Sequence, residues 1–186
     1  RVRKIEPCFE LPTSGSCCAS SDGTGMRMHS AGEYRHIKYR GKQRRWLKIV
    51  ITADPNTRDL LNVEASIDGE GDSEPEIAMQ HLNLLYKAGI DVLKFFGDGS
   101  FDVHDLFNLL EQHSTDSAIP PRDDASNNAH GSMRRAREVA DYKSKSWDEW
   151  AKAKEYGKRW LGTEGIFSSV KGIFGEDTRA KTPKTA

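Results

Sequence analysis

The chain has 186 residues, 36% of them hydrophobic and 30% charged, and its 28 Lys/Arg balance 28 Asp/Glu. That length supports one well-buried core with room for an insertion. A mean hydropathy of −0.71, with no apolar run near the roughly 20 residues of a bilayer span, excludes a helical membrane protein.

The charges are unevenly placed. Residues 34–48 (YRHIKYRGKQRRWLK) carry seven Lys/Arg and no acid, residues 54–76 carry eight Asp/Glu against the single Arg58, and residues 134–159 carry nine Lys/Arg against five acids. Two basic blocks around an acidic middle suit a protein that meets polyanions at its rim and cations at its centre, although a charge run alone is also what a solvated face looks like. Cys8, Cys17 and Cys18 show neither a disulfide framework nor zinc-ligand spacing, so reduced thiols in a cytoplasmic protein are expected. No signal peptide is read. A chain that begins RVRK without an initiator methionine is expected to be a piece of a longer protein.

In chain order, residues 17–28 (CCASSDGTGMRM) suggest a first strand, poor in apolar residues and loosened by Gly23 and Gly25. Residues 46–53 (WLKIVITA) and the alternating Leu61, Val63, Ala65 and Ile67 flank the turn DPNTRD and predict an antiparallel hairpin. Ser73-Glu74-Pro75-Glu76 has capping-box spacing ahead of Ile77, Ala78, Leu82, Leu85 and Tyr86 on one helical face, with Gly89 as the stop. Residues 90–96 (IDVLKFF) then predict a strand one helix away from the hairpin, the crossover that parallel pairing needs.

Asp102 is placed to cap a further helix carrying Val103, Leu106, Phe107 and Leu110. Residues 114–133 form a polar loop with a brief strand candidate near Ile119. A basic helical region with Trp147 and Trp150 follows from Met133, broken by Gly157 and Gly162 before a last helix at about 164–175; residues 177–186 are expected to be a flexible tail. Antiparallel strands followed by parallel units make a mixed sheet with helices on its faces.

Three acids stand out in that order. Asp22 lies on the first strand, Asp98 ends the fourth between Gly97 and Gly99, and Glu164 begins the last helix. Parallel pairing of the fourth strand beside the first would bring Asp22 and Asp98 together. At 100° per residue, Ile166, Phe167, Val170, Ile173 and Phe174 cover one apolar arc, which is expected to pack on the sheet, while Glu164, Ser168 and Lys171 share another edge. Taken singly, Asp22 and Asp98 read equally well as turn residues beside glycine, and Glu164 as a favourable charge at a helix N-terminus.

The blocks DGTGM, GEYRHIKYRGKQRRWLKIVI, GDGSFD, AIPPR and YGKRWLGTEGIFSSVKGIFGE, spread in order from about residue 21 to 176, resemble the catalytic domain of DDE transposases, and most closely that of archaeal and bacterial insertion sequences. The family's signature tyrosine, arginine, glutamate and lysine fall at Tyr156, Arg159, Glu164 and Lys171. Tyr-x-x-Arg and Glu-x₆-Lys are intact, and four residues separate Arg159 from Glu164 where the usual signature has three.

The resemblance implies a single RNase H-like domain in which Asp22, Asp98 and Glu164 bind two Mg²⁺ or Mn²⁺ ions for DNA cleavage and strand transfer, as hard oxygen ligands and two-metal phosphoryl chemistry allow. It also implies that Gly97 and Gly99 admit a phosphate backbone, and that Tyr156, Arg159 and Lys171 engage DNA at the cleaved end. Arg35, Lys38, Arg40, Lys42, Arg44 and Arg45 would meet the DNA backbone. The end-recognition domain would lie upstream, and assembly as a homodimer on DNA is left open. The alternatives are an RNase H-like nuclease that does not join ends, and an inactive or domesticated remnant that binds DNA.

Overall fold

The computed structural model describes residues 15–28, 46–67, 69 and 71–178. The strands are β1 (Ser16–Met28), β2 (Trp46–Ala53), β3 (Leu60–Ile67), β4 (Asp91–Phe96), β5 (Asp116–Ala118) and β6 (Asp177–Thr178). The helices are α1 (Glu74–Lys87), α2 (His104–Gln112), α3 (Met133–Lys143), α4 (Trp147–Ala153) and α5 (Gly165–Phe174). A 3₁₀ turn, Gly99–Phe101, follows β4, and a π turn, Trp160–Glu164, leads into α5. Among the described residues, no helix is long and apolar enough to cross a membrane.

The strands form one sheet in the order β3-β2-β1-β4-β5, with β6 beside the far end of β1. β1, β2 and β3 pair antiparallel, whereas β4 and β5 join in parallel. This is the mixed α/β sheet anticipated from the sequence, antiparallel at its start and parallel beyond, with cores on both faces. Phe95 and Phe96, adjacent on β4, point to opposite sides. Phe95 packs with Ala19, Leu82, Leu85, Leu106 and Leu110 beneath α1 and α2, and Phe96 packs with Ala118, Trp150 and Tyr156.

Several expectations change. β5 lies at residues 116–118, just before Ile119. Residues 177 and 178 pair with Arg27 and Met28 instead of trailing away, because Gly175, at φ +79°, turns the chain back after α5. Gly162 does not break the last helical region; it sits inside the π turn, which runs straight into α5. On α5 the expected arc is only partly used: Phe167 is buried, but Ile173 is 74% exposed, and it is the π turn ahead of the helix that rests on the sheet.

Asp102 is not a helix cap. Val103 takes that position, and the Asp102 carboxylate, wholly buried, receives Arg135 Nε at 2.6 Å and Nη2 at 2.7 Å together with the Arg122 backbone N–H at 2.9 Å. Arg122, the last residue of AIPPR, also donates to the carbonyls of Gly99 and Ser100 at 3.1 and 3.0 Å, bracing the 3₁₀ turn. A Cβ on Gly97 would meet the Phe101 ring at 2.9 Å. Its missing side chain therefore makes room for a core aromatic.

Beneath β1 runs a buried polar chain. Ser21 Oγ lies 2.7 Å from Thr52 Oγ1, which lies 2.8 Å from His81 Nδ1 on α1. Burial lowers the His81 pKa to about 4 from the usual 6.5. Between those values the unfolded chain binds a proton that the folded chain refuses. Stability therefore falls as the pH is lowered through that window, by up to about 1.4 kcal/mol per unit. Urea melts should show His81→Gln flattening the loss between pH 6.5 and 5 by about 1.5 kcal/mol. An identical slope in the variant would mean that His81 is free to take a proton in the fold.

Candidate active site

β1 and β4 place the first two acids. Their parallel register sets Ser20 opposite Phe96, and Asp22 and Asp98 each lie two residues farther on, so that Asp22, midway along β1, sits beside the point where β4 ends. By the alternation of β1, Asp22 shares the Phe96 side of the sheet, where Trp150 and Tyr156 pack. Asp22 Oδ1 accepts the Gly23 N–H at 2.9 Å. Asp98 Oδ1 accepts the Ser100 N–H at 2.8 Å and the Ser100 hydroxyl, so its carboxylate is aimed by the 3₁₀ turn that Gly99 begins.

The third acid arrives on the π turn. The backbone N–H of Gly165 reaches the Trp160 carbonyl, the five-residue bond that marks such a turn. It absorbs the extra residue between Arg159 and Glu164, so that both side chains still reach one place. Gly162 makes the docking possible: a Cβ there would lie 3.2 Å from Ser20 Cβ and 3.3 Å from Pro55 Cα. The turn thus rests directly on β1 and on the β2–β3 connection.

The three acids meet around one cation. Arg159 Nη2 lies 3.2 Å from Asp22 Oδ2 and 3.6 Å from Asp98 Oδ2, and its Nη1 lies 3.8 Å from Glu164 Oε1. Thr163 Oγ1 stands 3.5 Å from Asp22 Oδ2. Asp22 is the most enclosed acid, its side chain 14% exposed against 40% for Asp98 and 37% for Glu164. Burial pushes the Asp22 carboxyl above its ordinary pKa and nearby Asp98 adds to that, with Arg159, the Gly23 N–H and Thr163 opposing.

The donor set suits Mg²⁺ or Mn²⁺, since it consists of carboxylate oxygens, from β1, from the turn after β4 and from the π turn. Among the described residues, however, no three acidic, histidine or cysteine side chains close to ion-holding distance. The space at their centre belongs to the Arg159 guanidinium.

The other expected residues fare differently. Tyr156, expected against DNA, is buried between Trp150 and Trp147, with ring centroids 5.4 and 5.6 Å away; the Arg159 guanidinium lies 6.0 Å from its ring. It packs in the aromatic cluster and supports Arg159. Lys171 Nζ pairs with Glu176 at 3.6 Å. Arg35, Lys38, Arg40, Lys42, Arg44 and Arg45 lie outside the described residues. Sequence reasoning named Gly162 only as a helix breaker and missed its packing role, and it missed Thr163 and the Ser21–Thr52–His81 chain; of these only Gly162 had a signal, the extra residue in the Arg159–Glu164 gap.

Residues 13–185 match the family described as Transposase DDE domain. Among solved structures, the chain is similar to one in the "CryoEM structure of simian T-cell lymphotropic virus intasome in complex with PP2A regulatory subunit B56 gamma", at 9% sequence identity and a TM-score of 0.36. That match covers 86% of this chain and 53% of the other, so the chain spans about half the length of that relative.

Proposed function

Because the chain belongs to the transposase DDE domain family, we propose that it is the catalytic domain of a DNA transposase, which cleaves DNA strands and joins the resulting 3′ ends to new DNA. One observation carries this reading: Asp22, Asp98 and Glu164, from three separate elements, converge on a single guanidinium. Three carboxylates gathered this closely repel one another and call for cations.

Asp22, Asp98 and Glu164 would hold divalent ions, which when bound supply Lewis-acid activation of the attacking hydroxyl and stabilisation of the leaving oxygen. The chain's own residues prepare the site. Gly23 and Ser100 each occupy one oxygen of an aspartate and leave the other facing inward. The π turn seats Glu164 with Asp98 on the side more exposed than Asp22, from which a DNA strand can approach. Lys171, and the block from Arg35 to Arg45, would meet phosphates and so confer salt-dependent DNA binding.

The test incubates the chain with Mn²⁺, supercoiled plasmid and a labelled oligonucleotide bearing a free 3′-hydroxyl. Label joined to plasmid is the expected result. Plasmid nicking without joining would favour a nuclease, and DNA binding without either product an inactive remnant.

A further inference from the structure

The same three contacts raise a question that the proposed chemistry leaves open, because the residue at the centre of the acids is itself a cation. We propose that Arg159 is the resident counter-ion of the metal-free site, and that divalent metal and the Arg159 guanidinium occupy the acids in mutually exclusive fashion. This rests on the reading of Asp22, Asp98 and Glu164 as metal ligands.

The molecule contains its own standard for comparison. Arg135 and Asp102 form a closed pair, two parallel bonds of 2.6 and 2.7 Å. Charge-assisted N–H···O bonds run at about 2.7–2.9 Å, so that pair is as tight as such pairs become. Arg159 is just as enclosed, at 8% exposure against 7% for Arg135, yet its contacts stretch from 3.2 to 3.8 Å and are divided among three acids. Its Nε–H is buried without a hydrogen-bond partner. A buried donor without a partner is costly, so the placement of Arg159 among the acids calls for an explanation besides stability.

Charge points the same way. One guanidinium faces three carboxylates, so the metal-free cluster keeps a net negative charge that attracts further cations. The acids do not close to ion-holding distance while Arg159 stands among them. A divalent ion on the same oxygens would repel the guanidinium at close range. Arg159 already lies 6.0 Å from the Tyr156 ring, whose face attracts a cation and would still support the guanidinium once it is displaced from the acids. A phosphate contact for Arg159 thus belongs to the metal-loaded state, in which its charge is no longer spent on the acids.

The experiment is Mn²⁺ calorimetry on the 186-residue chain without DNA. It compares wild type, Arg159→Gln, Arg159→Lys and Asp98→Asn, each checked for folding by circular dichroism and for melting temperature with and without Mn²⁺. Arg159→Gln, which keeps the bulk and removes the charge, should bind Mn²⁺ about tenfold or more tightly than wild type, within the usual 5–150-fold range of coupled sites. It should melt lower than wild type without metal and gain more from Mn²⁺. Arg159→Lys, still cationic, should bind no more tightly than wild type. Equal or weaker Mn²⁺ binding by Arg159→Gln, with wild-type binding intact and lost in Asp98→Asn, overturns the competition and leaves the metal-ligand reading standing. No Mn²⁺ binding by any variant overturns both.

Discussion

Asp98→Asn is expected to abolish DNA cleavage and remove most Mn²⁺ binding while leaving the fold almost untouched. The asparagine is isosteric, and its carbonyl oxygen can still accept the Ser100 N–H at the start of the 3₁₀ turn. The side chain is 40% exposed, so the change should cost only about half a kcal/mol of stability, as is usual for partly solvated positions. What disappears is a negative charge. A neutral amide oxygen is a far poorer ligand for a hard divalent ion, and two carboxylates cannot balance the charge that three do. Asp22 should at the same time be relieved, because Asp98 is one of the groups pushing its carboxyl upward. The checks are a plasmid-nicking time course, Mn²⁺ calorimetry and a melting curve. Wild-type nicking by the variant would remove Asp98 from the chemistry.

Asp102→Ala should produce the largest loss of stability. It leaves the Arg135 guanidinium buried without its carboxylate and strands the Arg122 N–H. Breaking one half of a buried pair costs about 3–5 kcal/mol, because the other charge remains in a poor solvent. For a chain of this size that corresponds to a fall in melting temperature of roughly 6–20 °C. Asp102→Asn should lose less, since the amide oxygen still receives the Arg122 N–H. Replacing both partners, Asp102→Leu with Arg135→Met, should recover much of the loss, since the double change leaves no uncompensated charge. The damage should also reach the active site, because Arg122 braces the turn that aims Asp98. A melting temperature unchanged in Asp102→Ala would mean that water reaches Arg135 freely.

The sheet was legible wherever burial imposes a period. The alternation in β3, the capping box at Ser73 and the crossover before β4 each follow from a local pattern, and together they order the strands. The acids were legible as candidates by type and through resemblance, while their meeting point depends on the register of β1 against β4. Asp102 shows the limit most clearly. Its sequence context is that of a cap, and only its partner thirty-three residues away makes it half of an ion pair. Likewise, Ile173 continues an apolar arc on α5 but stays exposed, because periodicity says which residues share a face and not how far that face is covered. The roles of Arg159 and Gly162 were hidden for the same reason: both depend on which backbone lies opposite.

The distance along the chain between Asp22 and Glu164 has a consequence in time. A ribosome releases the amino end first, at about 5–20 residues per second, and strands β1 to β5 come from the first 118 residues. The sheet can therefore begin to assemble while the π turn is still being made. During that interval the strands that will pair Asp22 with Asp98 have been made, but Arg159 and Glu164 do not yet exist. The acid cluster acquires its counter-ion and its last carboxylate together, within one five-residue turn, and only after most of the domain has been made. A growing chain of this kind holds the strands of its scaffold before it holds the whole acid cluster, so the cluster is completed late and in a single step of its synthesis.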